Sequence, residues 1–258
     1  MKNHPPRPYM LAETNWQEVK STDFQIAVLP WGATEAHNYH LPYATDNFQV
    51  EGIIENAAEA AWNSGVKVVV LPTIPFGVQT GQLDIKLCMN ILPSTQLTIL
   101  KDLCDALLRA GIQKLVILNG HGGNDFKTMI RELSFHFPNL FICVINWFRT
   151  EPKEGYFDAL DGDHADEMET SVMLHLQPHL VDLSKAGDGK AKKWRFLAMQ
   201  QGWAVGQREW TAVSADTGVG NPHQATAEKG KRYLQAVSRK ITAFLVELAE
   251  TKREGFYE

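Results

Sequence analysis

Four short, almost wholly apolar runs separated by helical sequence constrain the fold of this chain most. They occupy 24–29, 66–71, 114–118 and 140–147, and the first three stop at Pro or Asn. Continuous apolar runs are typical of strands buried on both faces, and helices between such strands indicate parallel pairing. The sequence therefore predicts an α/β fold, a three-layer α/β/α sandwich with a mostly parallel sheet.

The segments between and after these runs have helical periodicity. We predict helices over 44–63, 94–109, 126–137, 168–176 and 225–251. Gly65 and Gly111 follow the first two helices, where glycine commonly ends a helix. No repeat or low-complexity linker divides the chain, so we expect a single domain over 1–258.

Composition excludes several classes of protein. Hydrophobic residues make up 44% and charged residues 21% of the 258 residues, which excludes disorder and a coiled coil. The net charge of −5 gives no basic surface, so we expect no nucleic-acid partner. No run approaches the roughly 20 apolar residues of a membrane span, and the N-terminus lacks a signal-type apolar run. We therefore expect a cytoplasmic protein with no membrane contact.

The first strongly polar segment follows the first apolar run. It places Glu35 and His37 two residues apart, so extended backbone would project both to one side. Asp46 follows at the start of the predicted helix. All three could face one cavity at the carboxyl edge of the sheet, where open α/β folds bind ligands. The alternative is a polar loop with an N-capping Asp.

A histidine flanked by glycines follows the third apolar run, in the sequence NGHGGN at 119–124. Glycine permits strained backbone angles and close approach to a ligand, which favours a metal-binding or catalytic role for His121 over a structural turn. A phosphate-binding loop is the alternative. The glycine spacing of such loops is absent, however, and so is their lysine.

An acidic segment, DGDHADEMETS at 161–171, precedes the fourth helix. A solvated acidic loop is the usual explanation of such a run. Apolar residues resume at 172–174, so Glu169 is expected at the partly buried start of the helix, where a carboxylate needs a partner such as a cation. With only three cysteines, and no CxxC pair, the three segments offer imidazole and carboxylate ligands. These suit Zn²⁺, Mn²⁺ or Fe²⁺ and are enough for two ions bridged by one Asp.

These segments resemble the motifs of the creatininase (creatinine amidohydrolase) family. The resemblance rests on WGATEAHNYHLPYATD at 31–46, NGHGGN at 119–124, HADEMETS at 164–171 and DTGVGNP at 216–222. It implies a creatininase-like domain with a dinuclear metal site. One metal ion would bind Glu35, Asp46 and His121. The second would bind His37 and Asp46, so that Asp46 bridges the pair.

The resemblance implies roles for further residues. Creatininase takes a carboxylate for its second metal ion two residues after the NGH histidine, where this chain has Gly123. Members with NGHGGN use the Glu before Thr-Ser, so Glu169 becomes the expected ligand and a catalytic residue, with Glu167 in reserve. His164 matches a family histidine near the substrate and would protonate the leaving nitrogen. Asp163 would orient His164 or bind substrate.

The substrate side departs from creatininase proper. Gly122 and Gly123 stand where creatininase has Tyr-Glu, and Leu160 replaces a Trp. These departures argue against the aromatic slot that holds a small cyclic amide. We predict that Gly122, Gly123 and Thr80 border the substrate.

The resulting hypothesis is a metal-dependent amidohydrolase that cleaves the C–N bond of a small-molecule amide, a cyclic amide or a formamide. The resemblance favours a homo-oligomer, a hexamer. Trp194, Trp203 and Trp210 could cover the substrate or an oligomer contact. Three alternatives stay open: a catalytically silent metal- or ligand-binding member of the family, a peptidase-like member acting on a modified peptide, and a nucleotide-binding α/β domain.

Overall fold

The computed structural model describes residues 5–257, so residues 1–4 and 258 of the predicted domain lie outside the described residues. The strands are β1 (Ile26–Trp31), β2 (Val68–Val70), β3 (Lys114–Asn119) and β4 (Phe141–Asn146). They form a parallel sheet in the order β2-β1-β3-β4. The predicted three-layer α/β/α sandwich with a mostly parallel sheet is confirmed.

Eight α-helices occur within residues 5–257. They are α1 (Trp16–Ser21), α2 (Thr45–Asn63), α3 (Pro93–Arg109), α4 (Lys127–His136), α5 (Glu167–Leu176), α6 (Leu197–Gln200), α7 (Trp210–Val213) and α8 (Ala227–Glu250). The five predicted helices are all present with ends within two residues, whereas α1, α6 and α7 were not predicted. Over the same residues, no helix is long and apolar enough to cross a membrane.

Neighbouring residues of each strand pack against opposite layers. Val28 lies in a core cluster with α2, α5 and α8, whereas Leu29 lies in a cluster with α3 and α4. All residues of β1 and β2 are buried as a result. Helices cover both faces of the sheet, which is why the strands appear in the sequence as continuous apolar runs rather than alternating patterns.

Side-chain caps determine where two helices begin. The Asp166 carboxylate accepts a hydrogen bond from the Glu169 amide at the start of α5. The Thr226 hydroxyl accepts one from the Lys229 amide at the start of α8, two residues later than predicted. Because successive residues of a helix are about 100° apart, Glu167 and Glu169 leave the first turn of α5 in nearly opposite directions.

The carboxyl ends of β1 and β3 lie side by side at the centre of the sheet. Trp31, the last residue of β1, pairs with Asn119, the last residue of β3. The polar segments at 32–46 and 119–124 therefore leave the sheet next to each other, at the edge where parallel sheets place ligand sites.

Candidate metal centre

The five predicted ligands converge at this edge of the sheet. Glu35 and His37 follow β1, Asp46 lies in the first turn of α2, His121 follows β3, and Glu169 lies in the first turn of α5. All five are buried, with exposed fractions from 0% to 8%. Their ligand atoms form two groups, each within 4.8 Å, that share Asp46: Glu35, Asp46 and His121, and His37, Asp46 and Glu169.

One nitrogen of His121 is turned toward the carboxylates. Nδ1 lies 2.8 Å from Glu35 Oε1 and 3.2 Å from Asp46 Oδ2. The other nitrogen, Nε2, donates its hydrogen to the Val78 carbonyl at 3.0 Å. A hydrogen bond of this kind fixes the orientation of the ring and leaves the inner nitrogen available to a metal ion.

His37 is held in the same manner on the other side of Asp46. Its Nδ1 donates to the Glu35 carbonyl at 3.2 Å, and its Nε2 lies 3.1 Å from Asp46 Oδ1. The two oxygens of Asp46 therefore face two different imidazoles, Oδ1 toward His37 and Oδ2 toward His121.

The structure places only one of the two candidate glutamates of α5 at the cluster. Glu169 joins His37 and Asp46, and its Oε2 accepts a hydrogen bond from the Ala165 amide at 2.5 Å. Glu167 is also buried, but its carboxylate pairs with Lys229. Backbone amides at 158 and 159 complete its hydrogen bonding.

Protons on the two imidazoles balance the charge of the buried carboxylates. Burial lowers the pKa of His37, but the surrounding carboxylates, Asp46 foremost, together outweigh burial and raise that pKa to about 10. At His121, burial also lowers the pKa, but the carboxylates of Glu35 and Asp46 outweigh burial and raise the pKa above its usual value. Burial raises the pKa of Glu169 to about 8. The cluster therefore carries more negative charge than its buried position tolerates without protons or cations.

The donor set fits a divalent cation. Imidazole nitrogen and carboxylate oxygen without thiolate suit Zn²⁺ or Mn²⁺. Asp46 Oδ2 is buried and accepts no hydrogen bond from the described residues. A metal ion would replace the protons of the cluster, because it binds neutral imidazole and ionised carboxylate.

His164 forms a third group with Glu35 and His37, whose ligand atoms also lie within 4.8 Å of one another. Its Nε2 donates to the Ala36 carbonyl at 2.8 Å, and its Nδ1 lies 3.8 Å from Glu35 Oε1. The ring also packs on His37, with 4.2 Å between ring centroids. Burial and the neighbouring His37 lower the pKa of His164, which favours the neutral imidazole.

The predicted substrate-side residues occupy different environments. Asp163 is ion-paired with Arg208 at 2.6 Å and 3.0 Å, and the hydrogen on His164 Nε2 is bonded to the Ala36 carbonyl rather than to Asp163. Thr80 is exposed and begins the 3₁₀ turn Thr80–Gln82. Gly122 is exposed with open space around it.

Gly123 is required by close packing. A Cβ at this position would lie 2.2 Å from the Val78 carbonyl oxygen and 2.5 Å from His121 Nε2. No side chain fits there without displacing the hydrogen bond that orients His121. A carboxylate for the second ligand group must therefore come from another segment.

Sequence reasoning missed Gln82 as a functional residue. Its side chain is buried and donates a hydrogen bond to Glu35 Oε2, and it accepts one from Cys88 Sγ at 3.0 Å. It holds the Glu35 oxygen that does not contact His121. The available signal was its position after β2, at the same edge of the sheet as the ligands.

Two asparagines hold the NGHGGN loop in shape. Asn119 Oδ1 accepts hydrogen bonds from the His121 amide at 3.2 Å and from Asn124 Nδ2 at 3.0 Å. Asn119 Nδ2 donates to Asn146 Oδ1 at 2.8 Å, which ties the loop to the end of β4. The asparagines of the motif therefore position His121.

The fold and the site define an α/β protein with a buried cluster of imidazoles and carboxylates able to bind metal ions. Comparison with known families identifies it further. The family described as Creatininase: Creatinine amidohydrolase matches residues 12–245, and the chain belongs to that family. The predicted family resemblance is confirmed.

Individual relatives agree with this membership. A solved Bacteroides fragilis protein, provisionally described as a creatinine amidohydrolase, is 42% identical with a TM-score of 0.90, over 97% of this chain and 99% of that one. The creatinine amidohydrolase of Pseudomonas putida is 26% identical over 69% of this chain and 75% of its own. The mycofactocin precursor peptide peptidase of Mycobacterium tuberculosis is 26% identical over 88% of this chain and 86% of its own.

Solved creatininases share the fold. A manganese creatininase is 22% identical with a TM-score of 0.77, and a Zn-Zn mutant creatininase is 23% identical with a TM-score of 0.76. Each comparison covers 94% of this chain and 99% of the other.

Proposed function

We propose that this chain is a metal-dependent amidohydrolase that cleaves a C–N amide bond and binds two divalent ions, Zn²⁺, Mn²⁺ or Fe²⁺, in each subunit. The position of Asp46 carries the proposal. Its two oxygens face His37 and His121 at 3.1 Å and 3.2 Å, and all three side chains are buried. A carboxylate between two imidazoles is suited to bridging a pair of cations.

The two ligand groups divide the site between them. Glu35, Asp46 and His121 would hold one ion, and His37, Asp46 and Glu169 would hold the other. Bound ions of this kind lower the pKa of water and polarise a carbonyl oxygen. The protein contributes donor atoms that are already oriented, because backbone carbonyls fix both imidazole rings.

Hydrolysis adds the oxygen of water to the amide carbonyl carbon, breaks the C–N bond and places a proton on the leaving nitrogen. We assign the proton transfer to His164. Its Nε2 hydrogen is held by the Ala36 carbonyl, so Nδ1 is the free nitrogen, and it lies on the side of Glu35. A neutral imidazole with a lowered pKa can accept a proton from water and then deliver it to nitrogen.

The proposed substrate is a small-molecule cyclic amide or formamide. The similarity to a creatinine amidohydrolase supports this class. The similarity to a peptide peptidase covers more of the chain, 88% against 69%. We therefore keep cleavage of a modified peptide as the second candidate, and binding without catalysis as the third.

We also propose that the chain acts as one domain in the cytoplasm and assembles into a homo-oligomer, a hexamer by family resemblance. Light scattering coupled to size-exclusion chromatography measures the assembly directly. A monomer at micromolar concentration would contradict this part of the proposal.

Metal analysis and hydrolysis assays test the function. Purified protein should contain close to two equivalents of divalent metal, lose activity on chelation, and regain it when Zn²⁺ or Mn²⁺ is restored. The assay panel needs creatinine, aryl and alkyl formamides, and short peptides. Preference for the peptides would select the second candidate.

The variant His121→Ala separates the proposal from its alternatives. We expect it to lose metal and activity together. Retention of every activity by this variant, or protein that binds no divalent ion, would refute a metal-dependent hydrolase. Full metal content without turnover of any substrate in the panel would select the silent member of the family.

A further inference from the structure

Trp210 in α7 covers the side chain to which we assign proton transfer. Its ring meets His164 edge to face, with 4.6 Å between centroids. His164 is 5% exposed, whereas Trp210 is only partly buried. The indole therefore borders the buried imidazole while part of its own area is exposed to solvent.

An ion pair holds this indole in place. The Arg208 guanidinium lies 4.9 Å from the Trp210 ring centroid and forms a paired contact with both oxygens of Asp163. A planar guanidinium can pair with a carboxylate and stack on a ring at the same time. Because Asp163 directly precedes His164, the contact fixes the ring relative to the imidazole.

The backbone of the same segment is docked against the loop after β2. A Cβ on Gly81 would lie 1.9 Å from the Arg208 carbonyl oxygen, so the two segments of backbone are in direct contact. The Thr211 hydroxyl also donates to the Asp84 carboxylate. That loop carries Gln82, the donor to Glu35. The segment of Trp210 is thereby attached to Asp163, next to His164, and to the loop that carries Gln82.

Neither of the segments that carry His121 and His164, residues 119–124 and 158–171, contains Phe, Tyr or Trp. Gly122 and Gly123 follow His121, and the chain before His164 has Leu160. Trp210 is the aromatic ring that contacts His164 from outside the ligand groups. The indole therefore offers a flat apolar surface directly beside His164.

We propose that Trp210 is a specificity-determining residue, the wall against which the flat, unsaturated part of the substrate stacks. This inference rests on the proposed amidohydrolase function and narrows its substrate class. The favoured substrates are amides whose nitrogen or carbonyl is conjugated to an aromatic or heteroaromatic ring. Arg208 and Asp163 are positioning residues that hold the indole.

Two matched ureas test the stacking without turnover. Phenylurea and cyclohexylurea resemble amides, resist hydrolysis, and differ in having a flat or a puckered ring. We expect Mn²⁺-loaded protein to bind phenylurea about tenfold more tightly than cyclohexylurea by isothermal titration calorimetry, in line with the energy of aromatic contacts.

The variants identify the residue responsible. Trp210→Leu should reduce the preference to less than about twofold, and Trp210→Phe should retain most of it. Trp203→Leu is the matched control, because Trp203 is 74% exposed and bonds to Gln201. It should keep the full preference. Metal content and thermal melting of each variant show that the fold and the centre are intact.

The binding results can contradict the stacking role of Trp210 in three ways. A wild-type protein that binds both ureas equally, or neither, overturns it, and so does a preference that survives in Trp210→Leu. These results concern binding alone, so the hydrolysis panel tests the amidohydrolase function separately. Active protein without a preference for flat ligands would support the amidohydrolase function and contradict the stacking role of Trp210.

Discussion

Two glutamates in the first turn of α5 are both buried but differ in their partners. Glu167 is fully buried and pairs with Lys229, while two backbone amides complete its hydrogen bonding. Glu169 is 8% exposed, accepts one backbone hydrogen bond, and otherwise faces Asp46 and His37. The Lys229 ammonium group neutralises the Glu167 carboxylate. The Glu169 carboxylate has no lysine or arginine partner within the described residues and relies on protons or metal.

The difference separates structural from functional buried charge. Burying an ionised carboxylate is costly unless a cation or hydrogen bonds compensate. At Glu167 the compensation is complete within the fold. Burial raises the pKa of Glu169 to about 8, so its carboxyl group stays largely protonated at neutral pH in the absence of a metal ion.

The largest expected effect is on Glu169→Gln. Removing this ligand should lower kcat/KM by more than about a hundredfold, because loss of a residue that only hydrogen-bonds to a metal ligand already costs about 10- to 100-fold. Metal content should fall from about two equivalents to about one by atomic-emission analysis, with little change in the melting temperature of metal-depleted protein. Two equivalents in the variant would show that Glu169 is not a ligand.

The matched variant Glu167→Gln should have the opposite profile. Lys229 keeps Asp158 at 2.6 Å in this variant, so loss of the buried charge-assisted contact should cost about 2 kcal/mol of unfolding free energy. Urea denaturation measures that loss, and metal content should stay at the wild-type level. If this variant loses metal while remaining folded, the division between the two glutamates is wrong.

Removal of metal should make stability depend on pH. The pKa of Glu169 is raised from 4.5 to about 8, and that of His37 from 6.5 to about 10. Within those intervals the folded protein binds more protons than the unfolded chain, so its stability falls as pH rises. Metal-depleted protein should therefore melt at a lower temperature at pH 9 than at pH 6.

Metal-loaded protein should show a smaller fall, because bound ions displace these protons and bind more tightly as pH rises. Differential scanning calorimetry of both forms tests this. Glu169→Gln should reduce the slope below about pH 8, where the raised pKa of Glu169 is the cause. Parallel melting curves for loaded and depleted protein would contradict the assignment of the protons to the cluster.

The smallest effect is expected when both partners of the Glu167–Lys229 ion pair are replaced. In Glu167→Gln combined with Lys229→Met, no uncompensated charge stays buried, so the loss should shrink to about 1 kcal/mol. Denaturation of the double variant beside Glu167→Gln gives the coupling directly. A double variant as unstable as the single one would mean that the charge pair is not the source of the loss.

The sequence could not choose between the two glutamates without the family resemblance. Both lie in one acidic run, and both precede apolar residues. The choice depends on helical phase, because residues two apart on a helix are about 200° apart. The Asp166 cap sets where that phase begins, and the partners on either side come from distant segments.

The tryptophans show the same limit. The sequence before DTGVGNP does not indicate which of three tryptophans lies at the site: Trp194, Trp203 or Trp210. Only Trp210 of the three contacts His164 in the described structure, and it does so through anchors at Asp163 and Gly81 that are far away in the chain. No local pattern distinguishes it.

The sequence by itself determined the layers and the place of the centre. Strands buried on both faces must be apolar throughout, and parallel strands must end at one edge, so the polar segments after β1 and β3 had to meet. Tertiary structure alone decided which charged groups would be neutralised by the fold. Lys229 reaches Glu167 from α8, whereas Glu169 turns toward Asp46 from α2. Charge compensation depends on distance in space, which local sequence does not encode.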